Sequence, residues 1–389
     1  MAQERRLGLV FSGGGAKGAF GVGVLRRLVE ELPTLTWHVV SGTSTGGLIA
    51  PFASIGATDR TALDDLERLY VTSRQADIVS SNLTPGQLLK GLPMGVYDPR
   101  PLAGRIDESL PDARRRQLLD GAVTTIVNCV NLQTGELALW TQRANVARLR
   151  AWFREHGSRG GVGAHFFPEH RLTEALLASA AIPGAIEPQE FRRTGAGAPC
   201  ASLPRQQIVD GGVIDIAPLR SAIAAGATDL LVVLMSPRVP APVCRRAEHF
   251  VDVALRAVDL LTDEIARNDV EVARSTTDLC GLADVLLEHE AELPQVVRDR
   301  LAARDGALRT RLASLRGRRP LNVHVIEPGH PLGDTLDFDS KVASGWPADP
   351  SGPKKVGIMA ARLRAGVRAA RAALREDAAL AAMLRAFSA

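Results

Sequence analysis

A glycine-rich turn near the start of the chain limits the possible folds most strongly. Gly13 to Gly18 follow an apolar run, Leu7–Phe11, that predicts a buried strand, and lead into a helical pattern over Ala16–Leu32. The first backbone N–H groups of a helix have no partner inside it, so such a turn stabilises negative charge. The turn therefore predicts an α/β fold with an anion-binding loop.

A second turn of the same kind offers a nucleophile. A strand predicted over Trp37–Ser41 is followed by Gly42 to Gly46 and a helix predicted over Gly47–Ile55. This is the context of a G-x-S-x-G nucleophile elbow. An elbow forces an uncommon backbone conformation on the serine and leaves no room for side chains at the two glycines. The helix N-terminus adds positive potential, which makes Ser44 the candidate nucleophile.

A third segment supplies a carboxylate. Gln206–Val209 has the apolar pattern of a strand and runs into Asp210-Gly211-Gly212, which predicts a strand end and a tight turn. Such a turn alone is ordinary, but its position after the two glycine-rich turns makes it specific. Asp215 lies five residues beyond Asp210, so it is a second candidate for the base.

Together the three turns resemble the motifs of the patatin-like phospholipases, a family of serine lipid acyl hydrolases. That family carries G-G-G-x-[RK]-G, G-x-S-x-G and D-G-[GA] in this order, as the chain does. Val130–Glu136 and Leu176–Pro183 also resemble family segments, so the likeness covers roughly residues 5–345. Two residues depart from the pattern: Ser12 stands where plant members often have Asp, and Asp215 where Asn is common.

The resemblance implies a fold and a mechanism. The fold is a patatin-like three-layer α/β/α architecture with a mostly parallel central sheet. Ser44 would be the nucleophile and Asp210 its partner in a two-residue dyad, with the backbone N–H groups of Gly13, Gly14 and Gly15 as the oxyanion hole. The reaction would pass through an acyl-enzyme and use neither a metal nor a cofactor.

A dyad needs an unusual aspartate. A carboxylate with a pKa of about 4 is a poor base for a hydroxyl at neutral pH, so burial must raise the pKa of Asp210 or the oxyanion hole must supply most of the driving force. Four further residues are expected to support the site. They are Lys17, which would help fix the glycine loop, and Gly42, Gly46 and Gly211 in the turns.

A Ser-His-Asp esterase or thioesterase of the α/β-hydrolase type is an alternative. In that fold the histidine follows the acid in the chain. Four histidines follow Asp210, namely His249, His289, His324 and His330. The surrounding sequence favours none of them, because the first two lie in charged helical stretches, the third in a strand pattern and the fourth in a Pro-Gly loop.

A nucleotide-binding module is an alternative from another class. Gly13, Gly15 and Gly18 fit the G-x-G-x-x-G fingerprint after a strand and before a helix. That fingerprint also needs an acidic residue at the end of the second strand, where residues 39–41 are Val, Val and Ser. The fit is therefore incomplete.

Composition agrees with a cytoplasmic enzyme. The chain has 389 residues, of which 46% are hydrophobic and 23% charged. It contains no apolar run long enough to span a membrane, and its first residues lack an apolar signal core. Its four cysteines are widely separated and lack metal-ligand spacing, so we expect reduced thiols. We expect one catalytic domain over residues 1–353 and a basic helical extension over residues 354–389, packed on that domain.

The expected partner is a phospholipid or a membrane surface, here the inner one, rather than a nucleic acid. The net charge of +4 favours an anionic lipid surface. Ile78 to Tyr97 is an apolar segment that fits a lid or a buried loop, and the basic extension fits an interfacial helix or a packed one. A regulatory partner or small nucleotide activator, as in some bacterial members of the family, leaves no readable motif here.

The rest of the chain alternates strand and helix signals, as a doubly wound sheet requires. Further strands are predicted over Thr124–Asn128, Leu230–Leu234 and Val323–Ile326. Two long charged helices are predicted over Val251–Arg274 and Glu288–Leu315.

Overall fold

A computed structural model describes most of the chain. It covers residues 4–82, 94–156, 164–191, 205–239, 250–302, 307–316, 321–352 and 354–388, together with positions 203, 242, 246 and 248. The strands are β1 (Leu7–Phe11), β2 (Val39–Thr43), β3 (Ser80–Ser81), β4 (Gly95–Asp98), β5 (Thr124–Asn131), β6 (Leu137–Trp140), β7 (Ala164–Phe166), β8 (Gly184–Ile186), β9 (Gln189–Phe191), β10 (Gln206–Asp210), β11 (Asp229–Val233), β12 (Asn322–Ile326), β13 (Lys341–Ala343) and β14 (Lys355–Gly357).

Helices connect most of these strands. They are α1 (Gly18–Glu31), α2 (Thr45–Gly56), α3 (Thr61–Thr72), α4 (Gln75–Ile78), α5 (Arg100–Ser109), α6 (Asp112–Asp120), α7 (Arg143–His156), α8 (Leu172–Ser179), α9 (Leu219–Ala224), α10 (Phe250–Glu288), α11 (Gln295–Ala302), α12 (Ala307–Arg316), α13 (Ile358–Glu376) and α14 (Ala378–Arg385). Short 3₁₀ turns follow β1 over Gly15–Lys17 and β10 over Gly211–Val213.

Nine of the described strands form one mostly parallel sheet. Its order is β12-β11-β1-β2-β5-β10-β9, and β6 and β7 continue it beside β5. The five strands from β12 to β5 in this order run parallel, whereas β6 and β10 pair antiparallel with β5. Alternate residues of β1 face opposite sides, so Leu9 joins the larger hydrophobic core and Val10 the smaller.

The two cores make three layers. The larger core packs α1, α2, α3, α5, α6, α8, α13 and α14 on one face of the sheet. The smaller core packs α7, α9 and α10 on the other face. The expected three-layer α/β/α fold with a mostly parallel sheet is therefore confirmed.

The C-terminal helix α13 lies directly against α1. A Cβ at Gly366 would collide with the carbonyl oxygen of Phe20, and one at Gly23 with that of Leu363, so glycines allow the two backbones to approach. The apolar residues of the predicted basic extension pack into the larger core; they are Leu363, Val367, Leu374 and Leu384. In this arrangement the apolar face of the extension is turned to the protein interior. A domain boundary at residue 353 stays a prediction.

The predicted helix over Glu288–Leu315 is wrong. The chain instead forms a 3₁₀ turn over Glu290–Glu292 and then α11, which begins directly after Pro294, and α12 follows. Proline has no N–H and disfavours helical backbone in the preceding residue, which favours a helix that begins after Pro294 over one that continues through it. The other predicted long helix, Val251–Arg274, lies within α10, which runs on to Glu288.

Parts of the remaining predictions lie outside the described residues, among them positions 83–93 of the candidate lid. Among the helices that are described, none combines the length and the apolar composition needed to cross a bilayer.

Candidate active site

Ser44 lies at a strained turn between β2 and α2. Its φ of 57° is the only positive φ of a non-glycine residue in the described chain. A Cβ at Gly42 would overlap the carbonyl oxygen of Gly46, and one at Gly46 would overlap that of Phe11. Only glycine fits at either position, because backbone atoms fill the space. Ser44 also precedes the first residue of α2, where the positive end of the helix dipole lies.

Strand β5 brings Ser44 and Asp210 together. Its first half pairs with β2, so that Thr43 lies opposite Asn128. Its end pairs with β10, which runs in the opposite direction, so that Asp210 lies opposite Cys129. The two strand ends therefore meet at consecutive residues of β5, although they are far apart in the chain. The Ser44 hydroxyl lies beside the Asp210 carboxylate and favours its charged form, which lowers the pKa of that carboxyl.

The environment of Asp210 suits a base. The residue is 5% exposed, and burial raises the pKa of its carboxyl to about 7, against the opposing effects of the Ser44 hydroxyl and the Gly212 N–H. The Gly212 N–H donates to Oδ1 at 2.7 Å, which fixes the carboxylate within its own turn. The other turn glycine, Gly211, is also required, since a Cβ there would lie 2.6 Å from the carbonyl oxygen of Asn128.

Asp215, the second candidate base, has a different partner. Its Oδ2 accepts a hydrogen bond from Asn128 Nδ2 at 3.0 Å, and its carbonyl oxygen accepts one from Thr43 Oγ1 at 2.7 Å. Burial raises the pKa of its carboxyl to about 6, opposed by Arg220 and Asn128. The effect of the Ser44 hydroxyl on the pKa of the carboxyl therefore distinguishes Asp210 from Asp215.

The three candidate oxyanion donors are not equivalent. The Gly13 N–H donates to the carbonyl oxygen of Ile216 at 3.0 Å, so in this conformation it is engaged. No hydrogen bond from the Gly14 or Gly15 N–H occurs within the described residues. Gly15 has a φ of 55° and lines the same cavity as Ser44. The loop can therefore offer the N–H groups of Gly14 and Gly15 to an anion, whereas Gly13 would first have to release Ile216.

Lys17 connects the glycine loop to α10. Its side chain is 8% exposed, and its ammonium lies 3.4 Å from Ser236 Oγ and 3.5 Å from Asp259 Oδ1. Asp259 Oδ1 also accepts a hydrogen bond from Thr335 Oγ1 at 2.6 Å, and the carbonyl oxygen of Thr335 accepts the Ala16 N–H. The side chain therefore extends away from the loop. It is connected back to the loop indirectly, through Asp259 and Thr335.

An apolar cavity opens beside Ser44. Its volume, counted as the space open to the centre of a water molecule, is about 70 Å³. Its walls come from α2, α3, α4, α5, α8 and α13, from the residues that follow α5 and α8, and from residues 336 and 338. The apolar side chains that line it are Leu48, Phe52, Leu69, Tyr70, Ile78, Leu102, Ile106, Leu110, Leu176, Ala180, Ile182, Ile186, Leu336, Phe338 and Met359. A cavity lined in this way is suited to a hydrocarbon chain.

Histidines do not join the site in the part of the chain described here. His324 binds Asp377 at 3.0 Å on β12, at the far edge of the sheet, and His289 pairs with Glu292. Ser44 and Asp210 have no histidine as a hydrogen-bond partner among the described residues, and His249 lies outside them. Within the same residues, His, Cys, Asp and Glu side chains form no group of three that could hold a metal ion.

Sequence analysis missed two residues that contact the elbow. Tyr70 is buried, and its hydroxyl lies 2.5 Å from Thr45 Oγ1 and donates to the Thr45 carbonyl oxygen at 3.1 Å. Ser179 accepts the Ser44 N–H. Neither contact has a local sequence signal, except that Ser179 belongs to one of the segments that resemble the family.

The chain matches a known protein family over more than half of its length. The sequence model described as patatin-like phospholipase matches residues 9–223. Among solved structures, VipD from Legionella pneumophila is 15% identical with a TM-score of 0.35, and the match covers 96% of this chain and 67% of VipD. Human GIVD cytosolic phospholipase A2 is 13% identical with a TM-score of 0.30, and the match covers 60% of this chain and 43% of that one. No curated protein sequence gives a match.

Proposed function

Because the chain belongs to the patatin-like phospholipase family, we propose that it is a lipid acyl hydrolase that cleaves fatty acyl esters of glycerophospholipids through a Ser44–Asp210 dyad. The observation that carries the proposal is the position of the strained Ser44 beside the buried Asp210, at strand ends that meet on consecutive residues of β5. Ser44 lines an apolar cavity suited to an acyl chain.

The reaction would proceed in two stages. Ser44 Oγ attacks the ester carbonyl while Asp210 accepts the serine proton, and the N–H groups of Gly14 and Gly15 stabilise the oxyanion. Collapse of this intermediate breaks the ester bond, and the protonated Asp210 gives its proton to the departing alcohol. Water then attacks the acyl-enzyme with Asp210 again as the base, which releases the fatty acid and regenerates Ser44.

The pKa of Asp210 makes this proton transfer plausible. A base works best when its pKa lies near the working pH, and a pKa of about 7 brings Asp210 to that range. The apolar cavity supports a long-chain acyl group over a short one, since each buried methylene contributes about 0.8 kcal/mol of binding free energy.

A fluorophosphonate probe, which phosphonylates activated serines, tests the dyad. We expect labelling of the wild type at Ser44, none in Ser44→Ala, and a labelling rate at least about 10³-fold lower in Asp210→Asn. Asp215→Asn is the matched control, because it removes a buried carboxylate five residues away that has no bond to the nucleophile. Labelling that survives in Ser44→Ala, or an Asp215→Asn variant as slow as Asp210→Asn, would contradict the assignment.

Lipid profiling of the same variants tests the substrate class. Wild-type enzyme incubated with phospholipid vesicles is expected to release fatty acid and lysophospholipid, and Ser44→Ala to release neither. Release of acid from soluble thioesters but not from phospholipids would instead favour the esterase or thioesterase alternative.

We also propose that the enzyme meets its substrate at a membrane surface. Its net charge of +4 and the exposed Arg371 and Arg375 of α13 support attraction to anionic lipid. The double variant Arg371→Glu/Arg375→Glu should pellet less with anionic vesicles and equally with zwitterionic ones. Unchanged pelleting would remove this role for α13.

A further inference from the structure

The backbone amide of the nucleophile is held by a buried serine. The Ser44 N–H donates to Ser179 Oγ at 2.9 Å, and the Ser179 hydroxyl donates to the carbonyl oxygen of Asn128 at 2.7 Å. Ser179 and Asn128 are both fully buried. Strand β5 pairs with β2 up to Asn128 and with β10 from the next residue onwards. Ser179 thus connects the strained elbow to the point where the two catalytic strand ends meet.

The residues after Ser179 hold the other half of the dyad. The Asp210 N–H donates to the carbonyl oxygen of Ala181 at 3.0 Å. Ala180, which lies between these two contact residues, and Ile182, which follows them, line the apolar cavity. Four consecutive residues, Ser179–Ile182, therefore touch the nucleophile, the acid and the acyl-chain cavity.

The neighbours of Ser179 are arranged to admit its hydroxyl. A Cβ at Gly47 would lie 2.8 Å from Ser179 Oγ, so glycine at that position lets the serine approach α2. The side chain of Asn128 is itself fixed, because its Nδ2 donates to Asp215 at 3.0 Å and to Ser221 at 2.9 Å. The acceptor of the Ser179 hydroxyl is the backbone carbonyl oxygen of the same residue, which lies within β5 opposite Thr43 of β2.

From these contacts we propose that Ser179 is a positioning residue for the dyad, and that Ser179–Ile182 sets the separation between Ser44 and Asp210. The proposal rests on the proposed function. Ser44 is the N-cap of α2, so its N–H has no partner within the helix. Without Ser179, that amide loses its partner, and the strained backbone is free to relax. A shift of about 1 Å at a reacting group can cost a factor of about 10² in rate.

The test compares Ser179→Ala with Ser54→Ala. Ser54 is a buried serine of α2, the helix that follows the elbow, and it accepts a hydrogen bond from Thr125 at 2.6 Å. Ser54→Ala therefore removes the same kind of hydroxyl as Ser179→Ala, but one that does not contact the dyad. The readouts are kcat and KM on a p-nitrophenyl ester, the rate of fluorophosphonate labelling, and Tm. We expect Ser179→Ala to lower kcat and the labelling rate by about 10–100-fold with KM within about twofold. Ser54→Ala should keep both rates within about twofold whatever its effect on Tm.

Equal rates for folded Ser179→Ala and wild type would overturn the proposal, as would an equal loss in Ser54→Ala. If Ser179→Ala does not fold, Ser179→Cys fills the same place with a weaker acceptor and should lower kcat by about 3–10-fold; an unchanged kcat would overturn the proposal. Failure of the proposed function gives a different result, because the probe would then label Ser44→Ala.

Discussion

At the scale of single residues, the burial of Asp210 lowers the stability of the folded protein at neutral pH and gives the carboxyl a pKa that suits the proposed base. Its pKa is raised to about 7 by burial, whereas an aspartate in an unfolded chain has a pKa of about 4. The folded protein therefore binds the proton more tightly than the unfolded chain does. The stabilisation that this provides is complete below about pH 4 and is lost as the pH rises through about 7, so ionised Asp210 is a cost to folding at neutral pH.

Asp210→Asn should separate stability from activity. The amide keeps an oxygen for the Gly212 N–H but carries no charge to bury. We expect the variant to be inactive and, at pH 8, more stable than wild type by about 1–3 kcal/mol, with a smaller difference at pH 5. Chemical denaturation at the two pH values measures this. If the variant were less stable than wild type at pH 8, folding would not raise the pKa of Asp210.

The elbow glycines make a second prediction at this scale. Gly46→Ala places a methyl group against the carbonyl oxygens of Phe11 and Ser12, both backbone atoms of the neighbouring strand end. We expect a loss of at least about 3 kcal/mol or no folded protein. Gly104→Ala on α5 is the control, because nothing lies within 4 Å of the added Cβ; it should stabilise the helix by about 0.5–1 kcal/mol. Denaturant unfolding that gave both variants wild-type stability would contradict the steric account.

At the scale of elements, the apolar cavity beside Ser44, the proposed acyl-chain site, depends on helices that lie far from Ser44 in the chain. Helix α5 contributes Leu102 and Ile106, and α8 contributes Leu176. The length of chain that fits is therefore set by side chains on these helices and not by the dyad itself.

Ile106→Trp tests this division. The larger ring should fill part of the cavity, so we expect kcat/KM for a palmitoyl ester to fall by at least about tenfold while that for a butyryl ester changes by less than about threefold. Glu108→Trp, on the same helix but 71% exposed, should change neither. Equal losses on both esters in Ile106→Trp would show that the ring disturbs the dyad rather than the cavity.

The sequence predicts the turns whose residues are dictated by local backbone geometry, but it does not predict the contacts between distant segments. The turns at Ser44 and Asp210 are readable because glycine is needed wherever backbone atoms approach closely. The meeting of Thr43 and Asp210 on β5 is not readable, because strand register depends on pairing between distant segments. Ser179 was missed for the same reason, since a buried serine in a helical pattern resembles any other until its partner is known.

At the scale of the whole molecule, the C-terminal extension helps to build the active-site wall. Arg362 of α13 is fully buried. Its guanidinium donates to the carbonyl oxygens of Leu332 at 2.8 Å, Asp334 at 2.9 Å and Asp337 at 2.6 Å. The loop that it holds carries Leu336 and Phe338 into the cavity. The extension is thus coupled to the apolar cavity beside Ser44, wherever a domain boundary is drawn.

Arg362→Ala should reveal this coupling. It removes the guanidinium that fills a fully buried site and donates to three carbonyl groups, so we expect a loss of about 3–5 kcal/mol in stability and, in any folded protein, weaker discrimination between long and short acyl esters. Arg364→Ala, two residues away and exposed, should change stability by less than about 0.5 kcal/mol. Urea unfolding and the ester series measure both effects, and an Arg362→Ala variant that matches Arg364→Ala would show that the loop is held by other contacts.

The pH dependence of fluorophosphonate labelling at Ser44 tests the central claim most directly, because it reports the ionisation of the base that activates the nucleophile. The rate for wild type should rise about tenfold per pH unit below neutrality and level off above a midpoint near the Asp210 pKa of about 7. In Asp210→Asn this ionisation should be absent. A wild-type rate that is flat from pH 5 to 8, or a midpoint that persists in Asp210→Asn, would contradict the dyad.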